Sequence, residues 1–254
     1  MAILKLILAY DGTGFHGFAR QPGTRTVQGA VEGALERLLR TVPRLSVAGR
    51  TDAGVHAEGQ VVSFEADAEP ERVRWALNGM LAPEVVVREA GVAPPGFDAR
   101  RNARAREYRY RLRTADVPDP FTARYEWHRA GRYRVGEMRA AARLLEGEHD
   151  FTSFSRAGPT SPVRRLDRLS IRPAGDVLEF RARAGGFLHQ MVRSLVGTLV
   201  AVGEGKREAR TMTEVLEARS RRAAGPVAPP WGLTLVRVLY GGRTGPLDLG
   251  RGSG

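Results

Sequence analysis

Apolar positions along the chain recur with two different periods. Residues 2–10 form a short, nearly continuous apolar run, which predicts a buried strand. Val27, Ala30, Val31, Ala34, Leu35, Leu38 and Leu39 fall at helical spacing and predict an amphipathic helix over 26–40, with Thr26 as its N-cap. A short strand at about 45–50, a strand over 60–65, a helix over 70–81 with Pro70 in its first turn, and a strand over 84–92 complete this half. Two helices flanked by strands, without long βαβ alternation, predict an α+β layer with helices on one face of an antiparallel sheet. Pro94-Pro95-Gly96 marks a boundary, dividing the chain into halves at 1–95 and 96–240.

The second half repeats the class of element. Arg106, Tyr108, Tyr110 and Leu112 share one face of a strand, and Arg109, Arg111 and Arg113 share the other. A helix is expected over 135–146 with Met138, Ala141, Ala142 and Leu145 inward. Strands at 163–173 and 176–184 read as a hairpin across Pro173-Ala174-Gly175. The most apolar segment, 187–200, is expected to be a buried core helix, too short and too polar to span a bilayer. A helix at 211–219, a strand at 233–240 and a tail-like composition over 241–254 close the chain. The expected fold is therefore α+β, mostly antiparallel sheet with helices packed on one face, in two similar-sized α/β halves with a basic cleft between them.

Composition adds a partner. The 254 residues carry 40 Lys+Arg against 28 Asp+Glu, a net charge of +12, and every basic residue except Lys5 and Lys206 is arginine. Arginine binds phosphate in a bidentate fork and stacks on bases, so this balance favours a polyanion, most simply nucleic acid. Codon usage in a GC-rich genome is the competing explanation. There is no cysteine, which excludes a disulfide framework and any thiolate metal site and fits a reducing compartment. The apolar start of the chain lacks a basic leader and turns to Asp11-Gly12 too early for a signal peptide, so a cytoplasmic protein is expected.

Chemistry concentrates in Gly49-Arg50-Thr51-Asp52-Ala53-Gly54-Val55-His56-Ala57. One carboxylate, Asp52, stands among small residues that let a ligand come close. Arg50 lies two residues away, on the same side in extended geometry. A guanidinium there favours the ionised carboxylate, and an open carboxylate can attack carbon. The plainer reading of Thr-Asp-Ala-Gly is a turn. Gly12-Thr13-Gly14-Phe15-His16-Gly17 spells G-x-G-x-x-G, but Phe18 to Gly23 separate it from the next helix, so it is not a dinucleotide fingerprint; a flexible, glycine-rich surface near a ligand is expected instead. The five histidines lack metal-ligand spacing, and a local hydrogen bond is the expected job of His56.

As a whole, the nonamer resembles the active-site signature of the tRNA pseudouridine synthase A family, in which this Asp is the nucleophile. Further segments match in order: Tyr10-Asp11-Gly12, Gln21-Pro22 with Thr26-Val27-Gln28, Phe97-Asp98-Ala99-Arg100, Tyr108-Arg109-Tyr110, His149 to Phe154, and Phe187 to Gly197. The chain departs from the family at Phe18 and Ala19, at Asp98 and at Arg101. The resemblance implies isomerisation of uridine to pseudouridine in the tRNA anticodon stem-loop, at positions 38 to 40, by a homodimer and without a cofactor or metal. It implies Asp52 as nucleophile, Tyr108 stacked on the target base, Arg193 paired with Asp52, and Arg50 replacing the flipped base. Arg100, Arg101 and Arg156 are candidates for backbone contact.

Two other classes compete with this reading. A non-catalytic RNA-binding protein needs the arginines and Tyr108 but not Asp52. A glycoside hydrolase needs a second carboxylate at a set spacing, for which Asp11 is a weak candidate.

Overall fold

The computed structural model describes residues 1–156 and 161–241. Most of the segment read as a tail therefore lies outside the described residues, as does the middle of the basic loop after Phe154. The elements run β1 (Ala2–Tyr10), α1 (Val27–Leu39), β2 (Ser46–Val47), β3 (His56–Ala66), α2 (Pro70–Leu81), β4 (Val85–Val92), β5 (Ala103–Arg113), β6 (Trp127–His128), α3 (Val135–Leu145), β7 (Gly147–Asp150), β8 (Val163–Ala174), β9 (Val177–Ala184), α4 (Met191–Gly203), α5 (Met212–Glu217) and β10 (Leu233–Tyr240). All the principal strand pairings described are antiparallel, the short β6 alone running parallel to its neighbour. The class is α+β.

The chain divides into two compact units, Met1–Arg104 together with the chain from Leu235, and Ala105–Thr234. The division thus falls between Arg104 and Ala105 rather than after Pro95, and the last strand returns to the first unit. Pro94-Pro95-Gly96 is instead a turn inside that unit, where Phe97 N–H donates to Pro94 O.

In the first unit β1 lies between β4 and β3, and β3 is followed by β10. Leu4, Leu6 and Leu8 alternate along β1 and are completely buried, opposite Phe64 and Val62 of β3. The reverse face is covered too: Ala48, Val61 and Ala99 pack with Ile7, Phe97, Val238 and Tyr240. Because β3 is enclosed on both faces, it lacks the polar alternation of a half-exposed strand. Thr26 caps α1 by accepting from Gly29 N–H. Asn78 locks α2 onto β4, its amide exchanging two hydrogen bonds with the Val87 backbone at 2.7 and 3.0 Å.

In the second unit the order is β5-β9-β8-β7. Tyr108, Tyr110 and Leu112 face Ala182, Phe180 and Leu178 across the ladder and are buried, as the alternation predicts. The opposite face is charged: Arg111 and Arg113 both reach the buried carboxylate of Glu126, at 2.7 and 2.6 Å. Those two guanidiniums are therefore answered within the fold. β8 and β9 join through Gly175 and Asp176, with Gly175 at φ +59°, the left-handed geometry a tight hairpin requires.

The apolar helix α4 starts at Met191, not at 187, because Gln190 adopts φ +60° and breaks the run before it. Nearly every α4 side chain is buried, so hydrophobic periodicity is absent and its ends cannot be read from pattern. A strap over residues 225–228 lies directly on this helix. A Cβ on Gly197 would sit 1.8 Å from Pro226 O, so only glycine fits there.

Gly197→Ala forces helix and strap apart. Overpacking of this kind costs about 1–3 kcal/mol or more, and the expected result is a lowered urea midpoint with an unchanged slope. A wild-type midpoint would show that the strap moves freely.

Candidate active site

Asp52 occupies the first position of a four-residue turn. Val55 N–H closes it on Asp52 O at 3.2 Å, and Gly54 at the third position has φ +76°, as a type II turn demands. The turn reading of Thr-Asp-Ala-Gly is therefore right about the backbone. The side chain of Asp52 remains partly accessible, Ala53 is exposed, and Thr51 and Val55 on either side are buried. A partly exposed acidic residue thus sits on a backbone anchored before and after it.

The anchors come from the glycine loop. Phe18 N–H donates to Thr51 O (3.0 Å) and Gly54 N–H donates to Phe15 O (3.3 Å). The approach is close: a Cβ on Gly12 would lie 2.1 Å from Val55 O, and one on Gly17, at φ +91°, would lie 2.9 Å from Thr51 O. Phe15 and Phe18 are buried, and Phe18 packs on Tyr10 with ring centroids 6.0 Å apart. The expected flexible surface is therefore a packed support for the Asp52 turn. Phe18, one of the departures from the family pattern, fills core.

A buried polar set completes the support. The Tyr10 hydroxyl lies 2.8 Å from Thr51 Oγ1 and accepts from Gln60 Nε2 at 3.4 Å. Gln60, with no exposed surface, also accepts from Gly49 N–H (3.3 Å) and donates to Gly49 O. Burial pushes the Tyr10 phenol up to about 12, against the opposing hydrogen bonds from Thr51 and Gln60. His56 is buried, and its Nδ1 accepts from Gly12 N–H at 3.0 Å. The same Nδ1 lies 3.2 Å from Asp11 Oδ1. An Nδ1 that accepts the amide proton carries none to offer a carboxylate, so the amide bond is the operative contact and His56 is structural, as expected.

Arg50 is exposed on this loop, and Arg100 and Arg101 are exposed in the turn after Ala99. Asp98, another departure, accepts from the Arg100 and Arg101 amides at 2.9 and 2.8 Å and lies 3.5 Å from the Arg101 guanidinium. Burial works to raise the Asp98 pKa, but the Arg101 amide, the Ser46 hydroxyl, the Arg100 amide and the Arg101 charge together hold it below its usual value.

Tyr108, Arg156 and Arg193 belong to the second unit. Tyr108 is buried on β5 with Phe187 edge-on at 5.2 Å. Arg193 projects from the first turn of α4. Its Nε donates to Ala228 O at 2.8 Å, and its own backbone carbonyl accepts from Ala228 N–H. Burial drives the Tyr110 phenol far above its ordinary value, with the nearby charge of Arg193 pulling the other way. Arg156 is tied to the start of α4 by two backbone contacts with His189.

Residues 6–100 and 141–241 match the family model described as tRNA pseudouridine synthase. The chain belongs to that family. The tRNA pseudouridine synthase A of Geobacillus kaustophilus is 45% identical over 93% of this chain and 94% of its own length. Those of Geobacter sulfurreducens and Methylobacterium nodulans are 42% and 44% identical, over 94% and 93% of this chain and 100% and 95% of theirs. Among solved structures, an archaeal box H/ACA sRNP Nop10–Cbf5 complex is similar at 15% identity, over 78% of this chain and 43% of that one, with a TM-score of 0.35; the fold assignment rests on the element order and pairing above. The chain is accordingly an isomerase that converts uridine in tRNA to pseudouridine. None of its described helices is long and apolar enough to cross a membrane.

Sequence reasoning passed over the residues that hold the synthase's Asp52 turn in place. Tyr10 and Gln60 had a signal, since each is a polar side chain at a strand position otherwise reserved for apolar ones. Tyr10→Phe should lower stability by about 1 kcal/mol near neutral pH, the usual value of one hydrogen bond. The raised phenol makes a second, signed contribution. It is fully present below the ordinary tyrosine value of about 10 and is lost as pH rises through about 12. The stability gap between wild type and Tyr10→Phe is therefore expected to close and then reverse over that window in urea titrations. A constant gap would mean that Tyr10 is not the buried titrating group.

Proposed function

We propose that this synthase isomerises uridine at positions 38, 39 and 40 of the tRNA anticodon stem-loop, with Asp52 as nucleophile. The observation that carries the reading is the placement of one partly accessible carboxylate on a turn whose backbone is fixed on both sides. Covalent catalysis needs the attacking atom held within a fraction of an ångström of its productive position. A turn anchored by Phe18, Phe15, Tyr10 and Gln60 meets that need.

The chemistry balances within the substrate. The bond from ribose C1′ to N1 breaks, the uracil turns, C1′ bonds to C5, and the C5 proton is lost as N1 gains one. Asp52 forms the covalent adduct, at the uracil ring or at the anomeric carbon, and is released unchanged. No redox change or imported group is involved, so the reaction calls for no cofactor. A paired base must first leave its stack. Arg50, exposed beside Asp52, takes the space the base vacates. Tyr108 stacks on the extruded base and handles the C5 proton. Arg193 supplies the counter-charge of Asp52, and Arg100, Arg101 and Arg156 contact the RNA backbone. The active enzyme is a cytoplasmic homodimer. The roles of Tyr108, Arg193 and Arg50 are supported by residue type and by the family resemblance of their segments.

Asp52→Asn tests the central assignment. The variant should bind the anticodon arm with near wild-type affinity and form no pseudouridine, as read by nucleoside mapping. Unchanged isomerisation would remove Asp52 from its role, and release of free uracil by the wild type would favour hydrolysis instead. Arg193→Ala should cut turnover at least a hundredfold if a counter-charge to the nucleophile is lost, whereas wild-type turnover would leave Asp52 without that partner.

A further inference from the structure

The turn after α4 opens a cleft of about 830 Å³, lined by Lys206, Arg207 and Arg210 together with Glu208 and Glu214. The Arg134 guanidinium borders it, since a Cβ on Gly205 would lie 3.2 Å from its central carbon. Arg221 reaches the same stretch of chain as Arg207, the two bonding the carbonyls of Gly225 and Ala223; burial and then the like charge of Arg207 both pull its guanidinium below the ordinary value. Arginine stays charged at neutral pH all the same.

Carboxylates answer Lys206 and Arg210 but not the other guanidiniums. Glu204 is held by Arg129 and Lys206, and Glu208 by Arg210. Among the described residues Arg134, Arg207 and Arg221 form no ion pair with a carboxylate. Arg207 and Arg221 each have one nitrogen bonded to a carbonyl, Ala223 O at 2.7 Å and Gly225 O at 2.6 Å, which fixes the planes of the guanidiniums and leaves further donors. Partly buried like charges held together without a counter-ion are unfavourable unless an anion joins them.

We propose that this cleft binds a backbone phosphate of the tRNA substrate, at a point away from the reacting nucleotide. The inference rests on the functional reading above. Arg193 lies in the first turn of α4 and the cleft lies beyond its last, about 15 Å further along at 1.5 Å per residue. A phosphate held here positions the RNA without taking part in the chemistry. Fixed guanidinium forks suit phosphate oxygens.

The test uses the full chain with intact tRNA. Arg207→Ala should raise KM about tenfold, the loss expected for one charge-assisted hydrogen bond, with the effect falling on KM rather than kcat. The slope of log affinity against log salt should shrink by about 0.7–0.9, one phosphate contact. If that variant fails to fold without its bond to Ala223, Arg207→Gln carries the test, because it keeps an N–H donor for that carbonyl and loses the charge. Wild-type KM and salt slope in folded variants would overturn the proposal, and so would a loss confined to kcat. Inorganic phosphate at constant ionic strength separates the sources. If Arg207→Ala abolishes phosphate binding but leaves KM for tRNA unchanged, the cleft serves a free anion and the RNA assignment falls. If the wild type forms no pseudouridine, the functional reading fails, while the binding slopes still judge the cleft.

Discussion

The backbone clamp on the Asp52 turn is the constraint from which the first unit is best understood. A half-exposed carboxylate on a surface turn would normally sample many positions, since few buried contacts hold such turns. Here the turn is bonded to the glycine loop through Thr51 O and Gly54 N–H, and its threonine hydroxyl is bonded to a buried tyrosine. The clamp explains residues that have no chemistry of their own. Gly12 and Gly17 are needed because the two loops approach within a distance that no Cβ allows. Phe15 and Phe18 are needed because the loop that supplies the clamp must itself be buried to be rigid.

Burying polar groups to hold a turn has a cost that the network offsets. A tyrosine hydroxyl and a glutamine amide with no access to water are unfavourable unless their bonding capacity is met internally. Tyr10 and Gln60 meet it with Thr51 and with both backbone groups of Gly49. The set therefore ties β1 and β3 to the two ends of one short segment, Gly49 and Thr51, between which Arg50 stays exposed. Rigid flanks and an exposed side chain between them suit the role proposed for Arg50, that of entering the space of a displaced base.

Most of the elements were legible because their periods are clean. β1, α1, α2, α3, the β8–β9 pair and β10 appear within a residue or two of the positions set by apolar spacing, Thr26 and Pro70. The failures have physical causes. The start of α4 was misplaced because a helix buried all round has no polar face to mark its register, and Gln190 carries no obvious stop signal. The domain boundary was placed at the strongest turn dipeptides, yet a turn within a unit uses the same residues as a linker. The two-residue strand β6 lacks the length that a pattern needs. Asp52, Tyr108 and Arg193 could be picked out by motif, but the contacts that hold each of them could not. Contacts such as Gly12 against Val55 or Arg193 against Ala228 join positions far apart in the chain, and no local pattern encodes them.

Arginine content alone could not separate a nucleic-acid binder from a compositional bias, but the placement of individual arginines begins to. Arg111 and Arg113 share the buried Glu126, Arg25 forks onto Glu84 with bonds of 2.9 and 2.5 Å, and Arg74 grips Glu71. Such pairs account for charge without involving any partner, and exposed ones add little stability. If bias were the whole explanation, unpaired guanidiniums would be scattered where desolvation is small. Arg207 and Arg221 are instead partly buried, each pinned through one nitrogen to a carbonyl of the same short stretch, Ala223 and Gly225. A folded chain tolerates that arrangement at a cost, and an anion that neutralises both groups removes the cost only when it binds. On the proposal that a phosphate binds here, relief of that repulsion adds to the affinity for a polyanion, most where salt is low and screening is weak.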